Sequence, residues 1–317
     1  MSGRPRRTGT VLLASVALLL TACADGRAPA PGSPEVAGTS ADPALGAVTG
    51  PLVVAAGDIA CRPGAPTTAT TCQQAATAGL AEGYAPRRVL TLGDHQYDAG
   101  TLADFRASYA DSWGRLKSIT EPVPGNHEYR TDGASGYYTY FRRRQPGPPG
   151  YHAFDVGTWR VYALNTNCTV IDCRAQRRWL ERRLTRDPHR CTALTMHHPR
   201  FSSGKHGSNG FVRPFWRIAV RHGVDLALAG HDHHYERLRR RDASGAADRR
   251  GIISFVSGAG GSSLYDVGRP VAGSVFRDSS AFGVLALRLG KRRFAWEYQT
   301  IEGDVLDSGV RRCIQPS

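Results

Sequence analysis

The segment 230–237 places two histidines two residues apart, directly after an apolar run. The run at residues 224–229 predicts a short buried β-strand, so His231 and His233 leave a sheet at its carboxyl edge, where open α/β sheets build sites. In an extended segment, these two rings project to one face and Asp232 projects to the other. Two imidazoles on one face commonly hold a transition metal, whereas an isolated pair is more often a solvated turn.

Four further predicted strands also end in residues that can bind a metal ion. The strands at 51–56 and 88–92 close on Gly-Asp, the strand at 118–123 on Pro-Gly-Asn-His-Glu, and the strand at 191–196 on His-His-Pro. The resulting candidate ligands are Asp58, Asp94, Tyr97, Asn126, His197, His231 and His233. A single metal ion does not need so many hard or borderline ligands. The sequence therefore predicts a site for two ions, with Asp94 suited to bridge them.

The order of these motifs resembles the calcineurin-like metallophosphoesterases over residues 51–237. The matching motifs are Gly57-Asp58, Gly93-Asp94-x-x-Tyr97, Gly125-Asn126-His127-Glu128, Met196-His197-x-Pro199 and Gly230-His231-x-His233-x-Tyr235-Glu236-Arg237. The tyrosine three residues after the second aspartate is typical of the purple acid phosphatase branch. In contrast to some relatives, the chain carries an insert between Cys61 and Cys72, which we expect to reshape one wall of the cleft.

The resemblance implies two metal ions with separate ligand sets. The ferric ion is expected on Asp58, Asp94, Tyr97 and His233. The divalent ion, which is Zn²⁺, Mn²⁺ or Fe²⁺, is expected on Asp94, Asn126, His197 and His231.

The implied reaction is the hydrolysis of a small phosphate monoester by a metal-bound hydroxide. Two histidines are the implied catalytic residues. His127 follows a ligand and is expected to face the substrate oxygens. His206, nine residues after His197 in a loop of Gly and Ser, is expected to bind the substrate or protonate the leaving group.

Two other functions remain open. The same metal pair attacks diesters and anhydrides, so a phosphodiesterase or a nucleotide pyrophosphatase is the alternative among enzymes. A lipoprotein that binds phosphate or metal without turnover is the alternative from another class, although the complete ligand set and His127 favour catalysis.

Polar residues beside these motifs receive structural or supporting roles. We expect Glu128 to orient a neighbouring histidine, and His198 and His234 to lie beside the ligands. Asp232 and Arg237 are expected in structural ion pairs. The remaining histidines are expected at the surface or at helix ends, and they are His95, His152, His189 and His222.

The spacing of apolar residues predicts helices that alternate with the strands. Helices are expected at 72–83, 101–117, 176–186 and 211–222. Further strands are expected at 151–154, 159–164, 252–256, 282–289 and 294–300, with the last two antiparallel. This alternation, followed by an all-β tail, predicts an α/β fold of two packed mixed β-sheets flanked by helices. With the resemblance, it corresponds to a four-layer metallophosphoesterase sandwich.

Composition bounds the size of the domain and the class of partner. With 317 residues, of which 41% are hydrophobic, we expect one catalytic domain over 51–317. The formal net charge of +14 comes mainly from arginine, and it suits anionic lipids, cell-wall polymers or nucleic acid. Because no nucleic-acid fold signature accompanies it, we expect no nucleic-acid partner. No pattern assigns an oligomeric state.

Residues 1–22 resemble a bacterial lipoprotein signal peptide. Three arginines precede an apolar run at 11–20, which is too short to span a bilayer, and Cys23 follows small residues. The resemblance implies cleavage before Cys23, a lipid on its sulfur and an exported protein held at the extracytoplasmic face of the cell membrane. An ordinary secretory signal and twin-arginine export are the alternatives. Residues 23–50 are then the lipidated Cys and a disordered tether rich in Ala, Pro and Gly.

Six cysteines remain once Cys23 is assigned to lipid, and an even number in an exported chain suggests disulfides. Local spacing favours Cys61–Cys72 and Cys168–Cys173, which leaves Cys191 to pair with Cys313.

Overall fold

The computed structural model of the protein describes residues 43–145, 147–186 and 191–314. The predicted signal peptide, the lipid site at Cys23 and most of the predicted tether lie outside these residues, as does His189. Within the described ranges, no helix has the length and apolar character that crossing a bilayer requires.

The described residues form two mixed sheets of six and seven strands. The strands are β1 (Leu52–Ala56), β2 (Arg88–Thr91), β3 (Thr120–Pro122), β4 (His152–Val156), β5 (Trp159–Ala163), β6 (Cys191–Thr195), β7 (Leu226–Ala229), β8 (Tyr235–Arg241), β9 (Ile252–Ser257), β10 (Ser274–Asp278), β11 (Gly283–Leu289), β12 (Arg293–Thr300) and β13 (Val305–Arg312). The first sheet has the order β13-β12-β11-β1-β2-β3, and the second has the order β10-β8-β9-β7-β6-β5-β4.

The helices cover the outer faces of the two sheets. They are α1 (Pro43–Gly46), α2 (Gln74–Gly83), α3 (Leu102–Ala107), α4 (Ser135–Phe141), α5 (Cys173–Arg186) and α6 (Arg213–Arg221). Short 3₁₀ turns lie at Tyr109–Asp111, Trp113–Ile119, Glu128–Arg130, Asp132–Ala134 and Gly210–Val212.

Strand β1 shows why the sheets stack as two inner layers. Val54 and Ala56 pack in the cluster under α2 and α3, whereas Val53 and Ala55 pack in the cluster between the sheets. A strand that is buried on both faces needs an unbroken apolar run, and its sequence LVVAA supplies one. The predicted α/β sandwich of two mixed sheets flanked by helices is therefore confirmed.

The single helix predicted at 101–117 is wrong in its continuity. Helix α3 ends at Ala107, and two 3₁₀ turns continue the segment. Tertiary hydrogen bonds interrupt it, because the Ser108 hydroxyl donates to the carbonyl of Cys61 and the Tyr109 amide donates to the side chain of Gln96. The aromatic side chains that carried the pattern, among them Phe105, are nevertheless buried as expected.

The sequence patterns did not predict three of the strands. Strand β8 carries four arginines, and β10 and β13 mix polar with apolar residues. In β8, Arg237 is stabilised by two hydrogen bonds of 2.7 and 2.8 Å to the Asp307 carboxylate of β13. The ion-pair role predicted for Arg237 is confirmed, and this pair lets a charged strand lie against the core.

The predicted tether extends too far toward the domain. Helix α1 forms within it, and Leu45 and Val48 are buried in the cluster on the helix-covered face of the first sheet. The predicted boundary at residue 50 is therefore wrong, because residues 43–50 belong to the fold.

The three predicted disulfides are present. Cys61–Cys72 and Cys168–Cys173 close short loops, and Cys191–Cys313 joins β6 to the end of the last sheet strand, with Cα atoms 5.7 Å apart.

Candidate metal centre

The loops after β1, β2 and β7 meet at one edge of the two sheets. The Asp58 amide donates to the Gly93 carbonyl over 3.1 Å, and the Gly230 amide donates to the His197 carbonyl over 3.0 Å. Gly93 has φ +87°, and a Cβ at this position would lie 2.6 Å from the His197 ring. Only glycine allows this approach, which places the second and fourth metal motifs against each other.

Three site residues that are not glycine adopt left-handed backbone conformations. Asp58, Asp94 and His231 have φ values of 60°, 46° and 74°. Such conformations are strained for most residues and cluster at functional sites. The prediction of an extended segment at His231 is therefore wrong. The chain bends there, and His231 and His233 enter separate groups of ligand atoms.

The first group surrounds the Tyr97 hydroxyl. This oxygen lies 3.0 Å from Asp58 Oδ1, 2.8 Å from His233 Nε2 and 3.3 Å from Asp94 Oδ2. His233 Nδ1 lies 3.0 Å from the Ser263 carbonyl, to which it donates. This hydrogen bond fixes the tautomer, so that the lone pair of Nε2 faces the group.

The second group surrounds His197 Nε2. This nitrogen lies 3.0 Å from Asn126 Oδ1, 3.2 Å from His231 Nδ1 and 3.2 Å from Asp94 Oδ2. His197 Nδ1 donates to the Leu92 carbonyl over 2.8 Å, so in the neutral ring Nε2 is left with a lone pair. Asp94 Oδ2 thus contacts both groups.

These distances fit the sharing of metal ions. Ligand atoms bound to one ion at about 2.0–2.2 Å lie about 3 to 3.5 Å from one another. The separations in both groups match, and each group offers O and N donors of the kinds that transition metals bind. Asp58, Asp94 and His197 also offer atoms that lie within 4.8 Å of one another. All seven predicted ligands are therefore brought together in an arrangement that fits a pair of cations.

The charges of the site favour a cation. Burial raises the pKa of Asp94, but the neighbouring His197 outweighs burial and holds that pKa far below its usual range. Burial lowers the pKa of His197, yet the Asp94 carboxylate overrides it and raises the pKa to about 9. Burial, Asp58 and Asp94 together raise the pKa of Tyr97 well above 10. A phenolate at Tyr97 therefore needs a compensating cation.

The two predicted catalytic histidines line the same cavity, which has a volume of about 640 Å³. His127 Nδ1 lies 2.6 Å from the carbonyl of Asp98, and His127 Nε2 lies 3.9 Å from Asp94 Oδ2. The exposed ring of His206 lies 4.5 Å from the ring of His231. The structure thus places His127 beside the Asp94 carboxylate and His206 at the rim.

Glu128 is buried and holds the backbone of the site. Its carboxylate accepts hydrogen bonds from the amides of Asp94, His95 and Gly125, at 2.9, 2.8 and 2.6 Å. Its Oε1 also lies 3.5 Å from Nδ1 of the buried His95, the neighbouring histidine that it contacts most closely. Its main role is to tie the loop after β2 to the loop after β3, so that Asp94 and Asn126 keep a fixed separation.

His95 is fully buried, so its predicted surface position is wrong. Its Nε2 lies 2.7 Å from the Thr91 hydroxyl, and its ring packs among Phe105, Tyr109 and Phe141. His222 ends helix α6, as predicted.

His198 and His234 lie beside the ligands, as predicted. His198 offers a ring nitrogen within 4.8 Å of ligand atoms of His197 and His231, but it makes none of the contacts of 3.3 Å or less that define the two groups. The ring of His198 packs against His231, and its Nδ1 lies 2.9 Å from the Thr166 hydroxyl. His234 Nε2 lies 3.3 Å from the buried Glu236 carboxylate.

Sequence reasoning missed the site roles of Asp232 and Tyr265. Asp232 forms no ion pair in the part of the chain that the structure describes; it accepts from the Ser202 hydroxyl and from the amides of His206 and Gly207. It therefore anchors the loop that carries His206. Tyr265 stacks on His233 with ring centroids 3.9 Å apart. The signal for Tyr265 was the Gly-rich segment after β9, another strand end at the same edge.

Comparison with known proteins agrees with this geometry. The profile of the calcineurin-like phosphoesterases matches residues 51–235. The chain belongs to the calcineurin-like phosphoesterase family. Purple acid phosphatase 23 of Arabidopsis thaliana is 26% identical over 150 residues, which cover 41% of this chain and 33% of that protein.

Solved structures share the fold of this phosphoesterase. A purple acid phosphatase from yellow lupin (Lupinus luteus) seeds superposes with a TM-score of 0.65 at 19% identity, over 84% of this chain and 54% of that chain. GAP50, the anchor in the inner membrane complex of Plasmodium, superposes with a TM-score of 0.63 at 15% identity, over 84% of this chain and 90% of that chain. A dimetal phosphatase from Danio rerio superposes with a TM-score of 0.53 at 13% identity, over 83% of this chain and 99% of that chain. The chain thus spans about half of the lupin protein and a third of the Arabidopsis protein.

Replacement of Glu128 by Gln tests the support of the site. Glutamine has one acceptor oxygen where glutamate has two, so at least one of the three backbone N–H groups loses its acceptor. Each lost hydrogen bond to a charged group costs about 1.5–3 kcal/mol. We expect a lower melting temperature and less bound metal per chain, measured by calorimetry and elemental analysis. Glu82→Gln, which removes an exposed partner of Arg115, should change neither. Wild-type metal content in Glu128→Gln would contradict this role.

Proposed function

We propose that this protein is a binuclear-metal phosphohydrolase that cleaves small phosphate monoesters. The observation that carries the proposal is the pair of ligand groups that share Asp94 Oδ2. Five of their seven members, together with His127 and His206, line one open cavity, and Asp58 and His197 are buried beside it. Likeness to two purple acid phosphatases, one by sequence and one by fold, supports the monoester class.

We propose Fe³⁺ for the first group and Zn²⁺, Mn²⁺ or Fe²⁺ for the second. Asp58, Tyr97 and His233 would hold the ferric ion, because a hard trivalent cation offsets the high pKa of a buried phenol. Asn126, His197 and His231 would hold the divalent ion, and Asp94 would serve both. When bound, the pair acidifies water and neutralises the phosphate.

The protein's own side chains would bind and orient the ester. The His127 ring is fixed by its contact with the Asp98 carbonyl, so in the imidazolium form its Nε2–H can donate to a phosphate oxygen. His206 stands at the rim, where the leaving group would lie, and the Asp232 carboxylate holds its loop. The His206 ring can therefore donate a proton to the oxygen of the leaving group.

Hydrolysis of p-nitrophenyl phosphate and of bis-p-nitrophenyl phosphate, measured in parallel, tests the reaction class. We expect faster turnover of the monoester and a loss of about 100-fold or more in kcat/KM for Asn126→Ala and His231→Ala. His222→Ala, which removes a histidine remote from the cavity, should retain wild-type rates. Turnover of the diester alone would favour the phosphodiesterase, whereas binding without turnover would favour the non-catalytic lipoprotein.

A ferric ion bound by Tyr97 would give the purified protein a visible colour. A Tyr97 phenolate on Fe³⁺ gives a charge-transfer band in the visible range, so the purified protein should absorb there and Tyr97→Phe should lose the band. Tyr265→Phe is the matched control, since it removes a hydroxyl from a ring that stacks on His233. A colourless, iron-free and fully active wild-type sample would refute the ferric assignment.

We further propose that the protein is exported and anchored by a lipid on Cys23 at the extracytoplasmic face of the membrane. The signal-like residues 1–22 and three disulfides support an oxidising compartment. Cell fractionation should find the wild-type protein in membranes and release Cys23→Ser into the soluble fraction. Equal membrane association of both proteins would exclude the lipid anchor.

A further inference from the structure

The cavity is larger than a phosphate group requires. Its volume of about 640 Å³ is typical of pockets that enclose a complete small-molecule ligand. The metal ligands form one part of its lining, and the Cys61–Cys72 loop and the Glu128–Arg130 turn form other parts. The lining residues of these two segments are therefore positioned to contact the group that carries the phosphate.

One arginine comes from each segment. Arg62 directly follows Cys61, whose carbonyl accepts hydrogen bonds from Gln96 at 2.9 Å and from Ser108 at 2.8 Å. The disulfide to Cys72 closes the base of this loop. The loop is thus held at the point from which the Arg62 side chain extends.

Arg130 ends the turn that begins just after His127. Its amide donates to the His127 carbonyl over 3.2 Å, so one short turn carries both the predicted phosphate-binding ring and this guanidinium. Arg62 and Arg130 both line the cavity.

No carboxylate among the described residues neutralises either guanidinium. Across the residues that the structure describes, Arg62 and Arg130 have no ion pair and no side-chain hydrogen bond, unlike Arg115 and Arg237, which pair with carboxylates. The acidic residues of the same lining are Asp94, which belongs to the ligand groups, and the exposed Asp98. Two free guanidinium groups beside a phosphate site are suited to a second anion, which arginine binds through paired N–H groups.

The lining offers little to a nucleobase. Tyr265 already stacks on His233, and Lys205 Nζ lies 4.8 Å from the centroid of its ring. The ring of Tyr97 packs against the ring of His127, with centroids 4.3 Å apart. A second charged group on an aliphatic ester therefore suits the cavity better than a stacked base.

We propose that Arg62 and Arg130 form a second anion-binding subsite, and that the preferred substrates are phosphate monoesters whose alcohol portion carries a carboxylate or a second phosphate. The subsite rests on the proposed function, because the first phosphate must occupy the metal centre. Arg62 and Arg130 determine specificity and take no part in the bond cleavage itself.

Binding of phosphonates to the metal-loaded protein, measured by titration calorimetry, tests the subsite without turnover. Propylphosphonate ends in a methyl group where 3-phosphonopropionate ends in a carboxylate. Propane-1,3-diphosphonate carries a second phosphonate instead. We expect at least one of the two probes that carry a second acidic group to bind about tenfold more tightly than propylphosphonate. Arg62→Gln/Arg130→Gln should remove this advantage and leave propylphosphonate binding within about twofold. The relative affinities of the two charged probes separate carboxylate from phosphate recognition.

Arg174→Gln/Arg178→Gln is the matched control, because it removes two charges from the exposed face of α5 and should keep the advantage. Kinetics should agree, with a higher kcat/KM on 3-phosphoglycerate than on glycerol 3-phosphate only while Arg62 and Arg130 are present. Equal binding of all probes to the wild type overturns the subsite but leaves the proposed function, which turnover of glycerol 3-phosphate supports independently. No binding of any probe and no turnover would overturn both.

Discussion

The buried carboxylate of Glu128 is the contact on which the geometry of the metal centre depends. It accepts three backbone amides from the loops that carry Asp94 and Asn126, and it lies under the site with no exposure to water. An ionised group buried in this way is stable only when hydrogen bonds satisfy it. The same contact fixes the left-handed turn at Asp94, so the bridging carboxylate enters the cleft at a defined position.

This arrangement concentrates polar groups whose charged forms are costly to bury. Two aspartates, a tyrosine and three imidazoles converge within hydrogen-bonding distance, although burial penalises every charged form among them. Backbone carbonyls orient His197 and His233 so that both present a lone pair to the centre. The fold thus preorganises the donors, and in the proposed function two cations would balance them. The same pair of cations would then account for an anionic, phosphate-bearing substrate.

The sequence predicted the sheet core and the convergence of the seven candidate ligands because both follow from local rules: buried strands are apolar, and sites lie where such strands end. It could not predict features that depend on contacts between distant segments. The break in the helix at Ser108 follows from the carbonyl of Cys61, and the charged strand β8 relies on Asp307. The bend at His231 likewise relies on Asp58, whose carboxylate accepts the His231 amide over 2.7 Å.

The proposed function requires one pocket that holds two adjoining cations. Anomalous scattering from crystals of the purified protein, recorded at the absorption edges of iron, zinc and manganese, would locate them. We predict two peaks, one bounded by Asp58, Tyr97 and His233 and the other by Asn126, His197 and His231, with Asp94 in contact with both. A single peak, or peaks away from these side chains, would contradict the account.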